Sequence, residues 1–181
     1  MTTKQRIYRI GIAGSYGGLN LGDEAILQSI VQQINASVNA EITVFSRDAR
    51  DTRQRHAVDT TVLTRTLSRD ELVLLIKPLD LLIVGGGGIL FDAEARLFLR
   101  EARIAQELDV PVMVYAIGAG PLHDTTVQAT VRECLDRAAI VTVREAAARH
   151  VLEEAGVRHE IIITADPALL IQPESLPHNA V

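Results

Sequence analysis

The stretch Gly14-Ser-Tyr-Gly-Gly-Leu-Asn-Leu-Gly-Asp23 lies between an apolar, strand-like run (Ile7 to Ala13) and a helix-like one. It is therefore a glycine-rich strand-to-helix turn. Such a turn aims the first helix amides and the positive end of the helix dipole outward, and glycine lets a ligand approach the backbone. The expected ligand is a phosphate or carboxylate, with Gly17, Gly18, Asn20, Gly22 and Asp23 as candidate contacts. The glycines do not follow G-x-G-x-x-G, and no Lys-Ser or Lys-Thr pair comes after them, so neither the dinucleotide fingerprint nor a P-loop is present. The alternative is a long βα loop whose glycines only relieve strain.

Gly85 to Gly88 follow a second buried, strand-like run. Four consecutive glycines there leave a surface bare of side chains and backbone amides free for a ligand, with Gly86, Gly87 and Gly88 as contacts; close packing of a neighbouring helix or domain is the competing explanation. Gly118-Ala-Gly-Pro121 repeats the theme after a third strand, adding Gly118 and Gly120. Arg144 stands directly after a fourth strand, where its planar fork either clamps a carboxylate or phosphate or pairs with Glu145 or another acid. Asp92 is placed to cap a helix beginning near Ala93. Asp166, in Ala165-Asp-Pro167, caps backbone amides or orients a ligand group or an arginine.

No residue pattern supplies catalysis by itself. The five histidines form no helical pair and none lies at metal-ligand spacing, and there is no G-x-S-x-G elbow. Cys134 is the only cysteine, which excludes an internal disulfide and a cysteine-rich metal site; its helix-like surroundings make it a core residue rather than a nucleophile. No metal or organic cofactor is implied.

These loops need a scaffold that brings strand ends together. Apolar, β-branched runs near Ile7 to Ala13, Glu41 to Phe45, Val58 to Leu63, Leu79 to Val84, Val110 to Ile117, Ile140 to Val143 and Glu160 to Ile163 alternate with helical patterns. The helices are expected near Asp23 to Asn35, Ser68 to Lys77, Ala95 to Leu108, Thr125 to Ala138 and Arg144 to Ala155, the last closed by Gly156. That alternation predicts an α/β fold, a doubly wound and mainly parallel sheet covered on both faces, with ligands beyond the carboxyl ends of its strands. Ser46 to Ala57, with four arginines, reads as a solvated connection. Residues 1–172 form one domain, and 173–181, with two prolines, read as a linker or tail.

Composition narrows the partners. Eighteen basic residues are scattered among 23 acidic ones for a net charge of −5, which leaves no electrostatic footprint for nucleic acid or anionic membrane. Aromatic residues are 3% and tryptophan is absent, so stacking platforms for bases or sugar faces are lacking. No apolar run is long enough for a membrane span, and the polar start carries no signal core, so a cytoplasmic location is expected.

Taken in order, the loops resemble the polysaccharide pyruvyl transferase family. Asn20-Leu-Gly-Asp-Glu-Ala-Ile-Leu27 is similar to its opening motif, and Leu81-Leu-Ile-Val-Gly-Gly-Gly-Gly-Ile-Leu-Phe-Asp92 to its glycine run ending in aspartate. Tyr115-Ala-Ile-Gly-Ala-Gly-Pro121 is similar to its third loop, and Val141-Thr-Val-Arg-Glu145 and Thr164-Ala-Asp-Pro167 to later ones. The resemblance implies transfer of a pyruvyl group from phosphoenolpyruvate, as donor substrate, to two hydroxyls of a sugar, giving a ketal on a cell-surface glycan or its lipid-linked precursor. It also implies a Rossmann-like half of a GT-B-like two-domain architecture, with this chain as the N-terminal half. A histidine general acid and a further basic residue then belong to a C-terminal domain, and Arg144 is the donor-binding arginine that carries over. Ile117, where the family commonly has glutamine, and Leu19 and Phe91 depart from its pattern.

Other readings keep the fold. One is a nucleotide- or NADP-binding module using Arg47 and Asp48 at the end of the second strand, which the glycine spacing opposes. Others are half of a GT-B glycosyltransferase, or an interaction domain pairing through Gly85 to Gly88.

Overall fold

The computed structural model describes residues 6–171; the expected linker or tail at 173–181 lies outside them. Strands β1 (Tyr8–Ala13), β2 (Ala40–Ser46) and β3 (Thr60–Leu63) alternate with helices α1 (Leu21–Ser37), α2 (Ala49–Arg55) and α3 (Arg69–Ile76). Then come β4 (Leu81–Gly85), β5 (Gly88–Leu90), α4 (Ala95–Phe98), α5 (Arg100–Glu107), β6 (Val112–Ala119) and α6 (Thr125–Asp136). β7 (Ile140–Val143), α7 (Ala146–Glu154), β8 (Ile161–Ile163) and a 3-10 turn, Pro167–Leu170, complete the described chain.

The strand order is β3-β2-β1-β4-β6-β7-β8, with β5 pairing β6 outside that path. All pairings are parallel. The chain starts in the middle, winds outward through β2 and β3, then crosses back to β4 and winds the other way. This is the doubly wound fold expected, and its direction reverses between β1 and β4, where Ile10 lies opposite Leu81. Parallel strands point their carboxyl ends the same way, so the loops after β1, β4 and β6 share one edge.

The two faces bury separate apolar layers. On one face, Ile26, Leu27 and Ile30 of α1 pack on Ile10, Ile12, Ile42, Val44 and Ile83. On the other, Leu72 of α3, Ala102 of α5, Val131 of α6 and Leu152 of α7 belong to the layer that holds Leu82, Val84 and Val114. Cys134 is fully buried in this second layer, and burial pushes its thiol pKa up to about 12, so it is a core residue. None of the described helices is long and apolar enough to cross a membrane.

Several local expectations are corrected. Ser46 to Ala57 is not a solvated connection: it contains α2, whose first amides, Arg50 and Asp51, donate to the Asp48 carboxylate, and it buries Thr52 and His56. The helix expected across Ala95 to Leu108 is interrupted at the buried Leu99, whose φ of −89° and ψ of 0° separate α4 from α5. Asp92 does not cap α4. Its carboxylate accepts from the backbone amides of His123 and Asp124, tying the β4 side of the edge to the loop after β6. The glycine run is also partly strand, since β5 begins at Gly88 opposite Gly118. In β6, the register against β7 advances by one extra residue between Val114 and Ile117. Ala116, at φ +48°, lies in this bulge and donates its amide to Thr142 Oγ1 at 2.7 Å. The bulge returns Ile117 to the same core layer as Val114.

Candidate functional site

The loop after β1 is held on three sides. Asn20 caps α1, its side-chain oxygen accepting from Gly22 N–H at 3.0 Å. The Gly17 amide donates to Glu24 Oε1 at 2.8 Å, and Arg47 N–H at the end of β2 donates to the Tyr16 carbonyl at 3.0 Å. The buried Tyr16 hydroxyl donates to the Gly85 carbonyl at 2.5 Å, which joins the β1 loop to the end of β4 across the reversal point. Burial, reinforced by the Asp23 and Glu24 charges, pushes the Tyr16 hydroxyl above its ordinary pKa, so it stays a neutral donor. Glu24 Oε2 in turn lies 2.8 Å from His56 Nε2, and Gln28 Oε1 lies 3.1 Å from His56 Nδ1. Tyr16, Glu24 and His56 were not singled out from the sequence. The pairing of His56 with Glu24 spans 32 residues and depends on α2, which the sequence pattern did not reveal.

Most of the edge glycines are required by the chain itself. Gly86, at φ +74°, faces Ile26 of α1 so closely that a Cβ would overlap its Cγ2, and its amide donates to the Tyr115 carbonyl. A Cβ on Gly87, at φ +80°, would stand 2.7 Å from an Asp23 carboxylate oxygen. One on Gly118 would meet Glu145 and Arg144 at 3.1 and 3.2 Å, and one on Gly120 would meet Phe91 at 3.3 Å. What presses on Gly85 to Gly87 is thus α1 with its loop, and the expectation of a wholly free amide surface there is corrected. Gly88 differs: it is exposed, and a Cβ there would have nothing within 4 Å. Gly18 and Asn20 are exposed as well, with Leu19 between them at φ +61° and 74% exposed. A leucine in that conformation is strained, which marks the loop tip as constrained by its anchors.

Asp23 lies at the centre of this edge. Burial raises its pKa above the ordinary carboxylate value, outweighing the opposing effects of the Ser15 hydroxyl and the Arg47 and Arg144 charges; the Glu24 charge adds to the rise. Arg144 follows β7 and is 27% exposed, with Nε donating to Glu145 and Nη1 to Asp166, both at 2.9 Å. Asp166 also accepts from Ala168 N–H, so it caps the last turn and orients the arginine at once. Arg144 is therefore a fixed guanidinium, but its charge is already matched by two carboxylates. Asp48, proposed for a ribose in the nucleotide reading, is occupied as the α2 cap. Among the described residues no group of three or more His, Cys, Asp or Glu could hold a metal ion.

The sequence profile of the polysaccharide pyruvyl transferase family matches residues 20–179. The chain belongs to that family. The match to the pyruvyl transferase profile runs from the α1 cap through all the later edge loops, and it makes the chain part of a transferase family. No match to a curated protein is significant.

Proposed function

We propose that the chain is the N-terminal half of a two-domain, cytoplasmic pyruvyl transferase that moves the three-carbon unit of phosphoenolpyruvate onto two hydroxyls of a sugar. The acceptor belongs to a cell-surface glycan or its precursor. The observation that carries this reading is the family match, combined with three loops converging where the sheet reverses direction. In the overall reaction, C2 of the donor gains two C–O bonds to the sugar and loses its bond to the phosphate oxygen and its π bond to C3. One hydroxyl proton ends on C3, which becomes a methyl group, and the other leaves with phosphate.

In this reading Arg144 holds the donor carboxylate or phosphate through the guanidinium edge that Glu145 and Asp166 leave free. The exposed Gly18, Asn20 and Gly22 of the β1 loop and the exposed Gly88 shape the wall against which the reactants lie, with the buried Gly17, Gly86 and Gly87 letting α1 and its loop pack behind it and Gly118 and Gly120 making room for Arg144 and the loop beside it. Asp23 accepts a proton from an acceptor hydroxyl, for which a carboxyl group with a raised pKa is a stronger base than an ordinary one. The test is turnover of phosphoenolpyruvate with sugar acceptors by the complete protein, read as phosphate release together with a new ketal methyl signal. Arg144→Ala should weaken donor use by about 2–4 kcal/mol, and Arg144→Lys should recover only part of it because the planar fork is lost. If Arg144→Ala lowers thermal stability but leaves the phosphoenolpyruvate dependence unchanged, Arg144 is a scaffold residue and the donor site lies elsewhere.

A further inference from the structure

Arg47, at the end of β2, is the less saturated of the two arginines acting on Asp23. Its Nη2 donates to Ser15 Oγ at 2.9 Å, Glu94 lies 3.9 Å away, beyond hydrogen-bond range, and its buried Nε has no acceptor. A guanidinium carries five N–H donors, and a buried one left unused calls for an explanation. Arg100 nearby shows what a structural arginine looks like here, with donors spent on the Thr64 carbonyl, the Thr64 hydroxyl and Glu101. The Arg47 guanidinium also stacks over Phe98, 5.4 Å from the ring centroid, and its Nη1 would lie 3.3 Å from a Cβ at Gly18.

A pocket opens beside it at the carboxyl ends of β1 and β2, lined by Gly14, Arg47, Thr64, Arg65, Arg100 and Glu101 among others. Arg65 is exposed and forms no ion pair among the described residues. Arg47, Arg65 and Arg100 stand against Glu94, Glu101 and Asp23, so the charges of the cluster balance, but Arg100 is spent on Glu101 while Arg65 pairs with no acid among the described residues and Arg47 has donors to spare. We infer that Arg47, Ser15 and Arg65 form a phosphoryl-binding subsite, separate from Arg144 and on the opposite side of the glycine loops. Its occupant is a phosphate ester or diphosphate group, belonging either to the donor or to a phosphorylated sugar acceptor. That choice of ligand rests on the transferase reading above, whereas the existence of the subsite does not.

The test separates the two. The isotope-labelled chain is titrated with inorganic phosphate and with pyrophosphate, following backbone amide signals and requiring no turnover. Saturable shifts are expected at Ser15, Gly17, Gly18 and Arg47; Arg47→Met should weaken binding about tenfold or more, the exposed Arg65→Met severalfold, and Arg144→Met little. Arg65→Met keeps the test valid if Arg47→Met fails to fold, since Arg65 is exposed. Absence of saturable binding, shifts confined to Arg144, or unchanged affinity in the Arg47 and Arg65 variants would overturn the subsite. In the complete enzyme, a raised KM for phosphoenolpyruvate in Arg47→Met assigns the group to the donor, and a raised KM for a diphosphate-linked acceptor assigns it to the acceptor. Phosphate binding at Arg47 without any phosphoenolpyruvate turnover would leave the subsite standing and sink the transferase reading.

Discussion

Gly86 and Gly88 are two residues apart and separate internal packing from ligand contact. At Gly86 a side chain meets Ile26 and a backbone at φ +74°, so Gly86→Ala should cost about 1–3 kcal/mol from overpacking and further from the left-handed conformation, read as a lowered denaturation midpoint. At Gly88 nothing stands in the way, so Gly88→Ala should leave stability within about 0.5 kcal/mol of the parent while raising a KM if substrate lies against that wall. An unchanged KM would remove Gly88 from the site. Asp23 makes a pH-dependent prediction. In the proposed role of base it would work only when ionised, and its pKa is raised, so the acid limb of the rate profile should fall above the ordinary carboxylate range and disappear in Asp23→Asn, with kcat down about 10²–10⁴-fold. The stability sign is the reverse of the usual carboxylate case: a folded pKa above the unfolded one means stability is lost as pH rises between the two values. Asp23→Asn should therefore be at least as stable as the parent at neutral pH, and a variant that is both inactive and unfolded would count against a proton-transfer role.

At the scale of elements, the anchor of the β1 loop is a contact between helices. Glu24 near the start of α1 bonds the Gly17 amide with one oxygen and His56 beyond α2 with the other, with both side chains almost fully buried. Removing one partner of such a pair leaves the other without its hydrogen bond, so His56→Ala should destabilise the fold by about 3–5 kcal/mol and speed hydrogen exchange at Gly17; a neutral effect would show that the loop is held by Tyr16 and Asn20 alone. The sequence made the seven in-line strands legible because apolar, β-branched runs report burial on two faces, and their observed ends differ from the expected ones by about two residues. It hid α2 because only Thr52 of that seven-residue helix is buried, leaving no apolar periodicity to see. It hid β5 because glycine has little preference for a strand, and the pairing of Gly88 with Gly118 is a tertiary fact. The glycine loops were legible as a shared edge, but the reason for most of the glycines, the approach of α1, Asp23 and the Arg144 pair, lies in contacts between segments far apart in the chain.

For the molecule as a whole, the winding reverses between β1 and β4, and in the proposed two-domain enzyme the edge at that point is one wall of the cleft. The proposed contacts on that edge are open: Gly18 and Gly88 are exposed, and Arg144 is about a quarter so. Water therefore reaches the positions where phosphoenolpyruvate and a sugar would have to meet. Ketal formation competes with water for C2 of the donor, and joining three groups in one geometry can be worth an effective molarity on the order of 10⁵ M or more, which a single wall does not supply. The 181-residue chain alone should accordingly bind anions without turning over phosphoenolpyruvate, with ketal formation about 10⁵-fold or more below that of a protein carrying a second domain. Supplying that domain as a separate polypeptide should restore part of the rate. Ketal production by these residues alone, at a rate comparable to the two-domain protein, would mean that this edge itself is the complete active site and that the second wall is dispensable.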